Sequence, residues 1–209
     1  MITSQVVTGH NPDSIIPIHY IPVVFHILYN DSVDNISMEQ IENAISILNR
    51  DFRKQNPDTV DIIPEFENIA ADCRIEFKLA KIDPHGNSTD GITRTYTDTL
   101  IFENDEAYHT SKGGIDAWPN HMYLNIWVVK KILGFAAGGT ATFPGTSPAS
   151  DGILIMNNSI GTIGTGLPQF SRVFTHEAGH FLYLYHIWGG LTGCGDDANC
   201  VTDDIVDDT

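Results

Sequence analysis

The sequence predicts a mixed domain of the α+β class. Five short runs of β-forming residues, one amphipathic helix in the first quarter and one apolar helical run near the end support this. The chain has 209 residues, of which 42% are hydrophobic, and this is enough to bury a sizeable core. No repeat or linker divides it. We therefore expect residues 1–16 to be a loose N-terminal arm and residues 17–209 to form one domain.

The first strand and the first helix have clear local signals. Residues 19–29 are β-rich with little polar interruption, which predicts a well-buried strand. His26 lies inside this apolar run and is interpreted as a core histidine. Ser37 with Gln40 three residues later is a capping-box pattern that predicts a helix start. Apolar residues then recur at helical spacing until Pro57, which ends the helix.

Four further strands follow at intervals. Residues 74–82 alternate between apolar and charged side chains, which predicts a half-exposed strand. Residues 122–129 are rich in β-branched and aromatic residues. Shorter runs at 138–143 and 152–156 complete the set.

The second helix carries the most informative motif in the chain. Ser171 is a candidate N-cap for a run that contains His176, Glu177 and His180. Histidines four residues apart lie on one face of a helix, so both imidazoles can reach one ion. His186 can join them only if the helix ends within residues 179–184 and the chain turns back.

This pattern predicts a zinc peptidase site. Three neutral imidazoles and a water form a tetrahedral zinc site with an open position, and Glu177 is placed to act as the general base. One class of zinc peptidase uses a later glutamate as third ligand, but no glutamate follows Glu177. Another class uses a downstream aspartate, so Asp196, Asp197 or Asp203 remains an alternative to His186.

The long motif resembles that of the metzincins, and the surrounding residues resemble the pappalysin/cytophagalysin family, peptidase family M43. The segments that resemble this family are residues 21–29, 37–56, 139–145, 151–155, 186–189 and 206–209. The resemblance implies a zincin-like fold: a twisted, five-stranded, mostly parallel sheet with a backing helix and an active-site helix. It also implies that a peptide adds antiparallel to an edge strand here, with Gly138, Gly139, Thr140 and Ala141 contacting the substrate.

Two departures from the metzincin pattern stand out. Tyr183 occupies the position three residues after His180, where metzincins usually have the glycine that ends the helix. A residue with a Cβ in the left-handed conformation costs about 1–2 kcal/mol. All four methionines also precede the motif, whereas metzincins have a methionine turn after it. We therefore expect a catalytic domain cut short after the zinc motif, with its upper subdomain and only the start of the lower one.

Charge and cysteines limit the partners and the location. The formal net charge of −16 argues against a nucleic-acid partner, and no run is long or apolar enough to span a membrane. Residues 1–20 lack the features of a signal peptide, as in a chain already processed for secretion. Cys194 and Cys200 could pair in a small loop, while Cys73 is expected to be free and buried.

The acidic end of the chain is a candidate calcium site. Family members bind calcium near this segment, so the resemblance implies ligands among Asp196, Asp203, Asp204, Asp207 and Asp208. A solvated acidic end is the alternative.

The working hypothesis is a secreted zinc-dependent endopeptidase that acts on a peptide or protein substrate. One alternative is a zinc-bound but inactive domain that binds peptides or proteins. The other is a structural acidic domain with chance histidine spacing and no zinc. The sequence gives no indication of oligomeric state.

Overall fold

The computed structural model describes residues 17–103, 105–135, 138–145 and 147–187. The N-terminal arm, both cysteines near the C-terminus and the acidic end lie outside these ranges. Within them the chain forms six strands and two α-helices: β1 His19–Tyr29, α1 Met38–Phe52, β2 Ile75–Leu79, β3 Ile92–Tyr96, β4 Leu124–Val129, β5 Gly139–Ala141, β6 Gly152–Met156 and α2 Val173–Phe181. Short 3₁₀ turns lie at Pro57–Asp61, Thr110–Lys112, Asn157–Ser159 and Pro168–Phe170.

The strands form one mixed sheet in the order β2-β1-β4-β6-β5. Every pairing is parallel except that of β5, which runs antiparallel to β6 at the end of the sheet. The mostly parallel α+β architecture is therefore confirmed. The expected strand number was one too low, because β2 and β3 pair with successive halves of the same edge of β1. The sheet is five strands wide but has six strands.

Both helices pack on one face of the sheet. Phe25 of β1 and Ile126 of β4 face this side, where they meet Ile41 of α1 and Phe174 of α2 in the main core. The opposite face buries a second cluster around Trp127, beneath the loop between β3 and β4. Because the helices share one face of the sheet, α1 packs against α2 and supports it.

The predicted helix starts are right for α1 and wrong for α2. Ser37 caps α1 by accepting a hydrogen bond from the Gln40 N–H (3.2 Å). The Gln40 side chain does not return to the cap; it is buried and donates to the Ile160 carbonyl (2.9 Å). Ser171 does not cap α2, since its hydroxyl donates instead to the Pro168 carbonyl (2.8 Å).

Two single-residue interpretations have opposite outcomes. His26 is a core histidine with 0% exposure, as expected. Its Nε2 lies 3.0 Å from Asn125 Oδ1 and its Nδ1 lies 2.7 Å from Thr93 Oγ1. Cys73 is free but exposed, so the expectation that it is buried was wrong. Its N–H donates to the carbonyl of Phe52, the last residue of α1 (2.9 Å).

Candidate metal centre

The three histidines of the motif converge on one point. His176 and His180 are one turn apart on α2, and His186 follows the end of the helix. Their Nε2 atoms lie 3.0 Å (His176 to His180), 3.0 Å (His180 to His186) and 3.2 Å (His186 to His176) apart. Tetrahedral zinc with bonds of roughly 2.0–2.1 Å holds its nitrogen ligands about 3.3–3.4 Å apart, so the triad fits this ion closely.

The chain reaches this geometry through a tight turn at the end of α2. Tyr183 adopts the left-handed conformation with φ +75°. The Tyr183 N–H donates to the His180 carbonyl (2.9 Å), and the Leu184 N–H donates to the Gly179 carbonyl (3.0 Å). This pair of bonds is a Schellman motif. The usual glycine is therefore absent while its backbone conformation is kept, and His186 is brought back beside the helix.

The same turn orients one of the imidazoles. His180 Nδ1 lies 2.8 Å from the Leu184 carbonyl oxygen. Because a carbonyl oxygen only accepts hydrogen bonds, Nδ1 carries the proton and Nε2 is left with a lone pair. Burial and the neighbouring imidazoles lower the pKa of His176, and burial and His180 lower the pKa of His186. All of these effects favour neutral, metal-binding rings.

Glu177 lies on the same helix and points towards the sheet edge. It is 6% exposed, and burial raises its pKa to about 7, opposed in part by a hydrogen bond from the Ala141 N–H. A bound dication would act in the opposite direction and lower this pKa. Glu177 is thus a buried carboxylate that lies between α2 and β5.

The edge strand β5 lies directly against Glu177. One of its edges pairs with β6, and the other faces away from the sheet. At Gly139 an added Cβ would lie 3.2 Å from Glu177 Cγ and 2.8 Å from the Leu154 carbonyl oxygen. Gly138 has φ +112°, a conformation that favours glycine. The structure therefore places two of the four residues predicted to contact substrate, Gly139 and Ala141, beside the predicted base.

A cavity of about 350 Å³ adjoins the triad. Its walls come from one side of α2 and from the segment after the turn, including Thr175, Gly179, Tyr185 and Ile187. Through this cavity, a ligand from the solvent can reach the three imidazoles directly.

The backing helix holds the start of α2, a contact that no sequence pattern indicated. Asp51, near the end of α1, accepts a hydrogen bond from Thr175 Oγ1 (2.8 Å) and forms an ion pair with Arg172 Nε (3.2 Å). Its side chain is 6% exposed. Thr175 immediately precedes His176, so this contact fixes the helix where the first imidazole emerges. The partners are 124 positions apart, and no local pattern could have linked them.

The predicted calcium ligands belong to the acidic end of the chain. Asp196, Asp203, Asp204, Asp207 and Asp208 lie outside the described residues, and calcium binding stays a prediction. Among the histidines and acidic residues that the structure describes, the group suited to a metal is His176, His180 and His186.

Comparison with known proteins identifies the family of this chain. The model of the peptidase M43 family, described as pregnancy-associated plasma protein-A, matches residues 107–209. Mature mirolysin of Tannerella forsythia, solved in complex with a cleaved peptide, is 42% identical with a TM-score of 0.85. That match covers 93% of this chain and 72% of mirolysin. The chain belongs to the peptidase M43 family.

Three further matches are a second mirolysin structure and two fungal proteins. A second mirolysin structure, in complex with compound 9, is 41% identical with a TM-score of 0.83, over 93% of this chain and 72% of that one. An extracellular metalloprotease of Arthroderma gypseum is 26% identical over 88% of this chain and 53% of its own length. One of Colletotrichum graminicola is 36% identical over 54% of this chain and 42% of its own length. The chain thus spans about half the length of the curated relatives it matches.

Proposed function

We propose that this chain is a zinc-dependent endopeptidase, with His176, His180 and His186 as metal ligands and Glu177 as general base. The observation that carries the proposal is the convergence of three Nε2 atoms within 3.2 Å of one another, beside a buried carboxylate. Membership of a family of metallopeptidases supports the same assignment.

The chain's own residues perform the proton transfers. Zinc, when bound, supplies Lewis-acid chemistry: it polarises the scissile carbonyl and acidifies water. Glu177 takes a proton from the attacking water and passes it to the leaving amine. The Ala141 N–H holds the carboxylate in position, and burial raises its affinity for a proton.

The substrate is an extended peptide that pairs with the free edge of β5 along Gly138, Gly139, Thr140 and Ala141. Main-chain hydrogen bonds to a sheet edge bind a peptide with little dependence on its sequence. We expect antiparallel pairing, as the resemblance to the metzincins implies. The cleaved peptide bound to mirolysin supports a peptide ligand for the corresponding site here.

We also propose that the protein acts outside the cell. The curated relatives are named extracellular metalloproteases. Across the part of the chain that the structure describes, no helix combines the length and apolar character needed to cross a bilayer.

The test compares the parent chain with Glu177→Gln, and with Glu65→Gln as a control that alters an exposed glutamate in the loop between α1 and β2. Each is assayed for cleavage of a denatured protein and for bound zinc. We expect zinc in all three and cleavage in all but Glu177→Gln, with a loss of at least about 10³-fold. Zinc without turnover in the parent would instead indicate a peptide-binding domain. Absence of zinc from all three would remove the basis of the proposal.

A further inference from the structure

Three aromatic rings lie together beside the histidine triad, and we call them the aromatic wall: Phe143, Tyr183 and Tyr185. The Phe143 and Tyr185 rings are stacked with centroids 5.0 Å apart. Tyr183 meets Phe143 edge-on at 5.8 Å and Tyr185 at 5.7 Å. Phe143 also lies 5.6 Å from the His180 ring. The wall therefore borders the metal centre directly.

The wall joins two separate parts of the chain. Phe143 lies two residues beyond the end of β5, while Tyr183 and Tyr185 belong to the turn after α2. Tyr183 stays 54% exposed, and the other two rings are half-buried. Aromatic surface that remains open beside a binding edge is available to a ligand side chain.

The backbone at Tyr183 indicates that its ring has a role of its own. With φ +75°, the position suits glycine, and a residue with a Cβ is strained there. Glycine would form the same turn without that strain. What tyrosine adds is the ring with its hydroxyl, which hydrogen-bonds to the Tyr185 hydroxyl. Among the aromatic contacts of the described residues, those of the Tyr183 ring are with Phe143 and Tyr185, the other members of the wall.

The direction of β5 determines which part of a substrate meets the wall. Glu177 lies against Gly139 and Ala141, so the scissile bond is placed there. Phe143 lies two residues further along the strand, about 7 Å away. A peptide antiparallel to β5 runs past Phe143 before it reaches Glu177. The wall therefore faces residues on the N-terminal side of the scissile bond.

We propose that Phe143, Tyr183 and Tyr185 form a subsite for an aromatic side chain located one to three residues before the scissile bond. This inference rests on the proposed peptidase function. Stacking on two or three rings, with partial burial, gives a preference of about tenfold for phenylalanine over alanine at one of these positions.

The test uses the zinc-loaded 209-residue chain and quenched fluorescent peptides of one parent sequence. Phenylalanine replaces alanine in turn at each of three positions before the scissile bond and at one position after it. The ratio of kcat/KM for the phenylalanine and alanine peptides is the readout. Tyr183→Gly removes a ring and relieves the turn, while Phe143→Ala removes a second ring. Val60→Ala is the control, since Val60 is 85% exposed and belongs neither to β5 nor to the turn after α2.

We expect a ratio of about ten at one upstream position in the parent chain and in Val60→Ala. It should fall to about two or below in Tyr183→Gly and Phe143→Ala, with zinc retained in both. A ratio near one at all upstream positions, a preference only after the scissile bond, or a ratio unchanged in both variants would overturn the subsite.

Equilibrium binding of the same peptides separates this inference from the proposed function. If no peptide is cleaved, the peptidase proposal fails, and the subsite is then judged on the ratio of Kd values. A phenylalanine preference in Kd that disappears in Tyr183→Gly would support the wall as a binding site. Equal Kd values for both peptides would overturn it.

Discussion

A single methyl group at Gly139 is expected to disturb the active site without touching a metal ligand. In Gly139→Ala the new Cβ would lie 2.8 Å from the Leu154 carbonyl oxygen and 3.2 Å from Glu177 Cγ. An ordinary contact begins at 3.4 Å, so β5 must move by about 0.6 Å from β6. The carboxylate of Glu177, held by the Ala141 N–H on the same strand, is expected to move with it.

The size of the effect follows from these distances. A misplacement of 1 Å in a catalytic constellation costs about 100-fold, so a shift of about half that distance predicts a loss of roughly 10- to 100-fold in kcat/KM. Overpacking against the Leu154 carbonyl is expected to destabilise the fold by about 1–3 kcal/mol. Zinc content should not change, because no histidine contacts the new methyl.

The assay measures kcat/KM on a quenched peptide, thermal unfolding and bound zinc for the parent and two variants. Gly134→Ala is the matched control: φ is +84° and nothing lies within 4 Å of the added Cβ. This control should lose about 1–2 kcal/mol of stability from backbone strain and keep its activity. If Gly139→Ala retains kcat/KM within twofold of the parent, the argument that β5 positions Glu177 is wrong.

Three further outcomes are expected. Asp51→Ala should weaken zinc binding by about tenfold, measured against a competing chelator, because it releases Thr175 from the backing helix; Asp51→Asn keeps an acceptor and should retain most of the affinity. Burial lowers the pKa of His26 to about 4, below its ordinary value of 6.5 in the unfolded chain. The neutral side chain therefore contributes folding stability that is essentially complete above about pH 7.5. Between pH 7.5 and 4.5 about 2.5 kcal/mol of it should be lost, and His26→Gln should lack this part of the pH dependence of unfolding free energy. Removing zinc should lower stability by about 4 kcal/mol relative to zinc at 1,000 times its Kd, and an unchanged Tm would contradict a folded-state metal site.

Strands with a complete local signal could be predicted from the sequence. The bounds of β1 and β6 agree with the apolar runs at 19–29 and 152–156, because buried central strands need continuous apolar sequence. The strand β3 was missed. Its sequence alternates Ile92, Arg94 and Tyr96 with threonines, and only its pairing with the second half of β1 makes it a strand.

In the candidate site, too, local features could be predicted from the sequence and long-range contacts could not. The spacing of the histidines predicted that α2 must end within residues 179–184, and the structure places the turn at Tyr183. That prediction depended only on helix geometry. The contact between Asp51 and Thr175, and the stacking of Phe143 on Tyr185, join residues far apart in the chain. Such contacts depend on how the sheet and helices pack, which no local pattern specifies.

The turn at Tyr183 also means that a bound metal would act as a cross-link. His176 precedes the turn and His186 follows it, ten positions away. An ion held by both closes this segment into a ring, as a disulfide would, and ties the chain beyond α2 to the helix. Chelation should therefore open the segment after Leu184 to attack by other proteases, while the sheet and α1 stay intact. The metal would then protect the chain from proteolysis at the proposed active site.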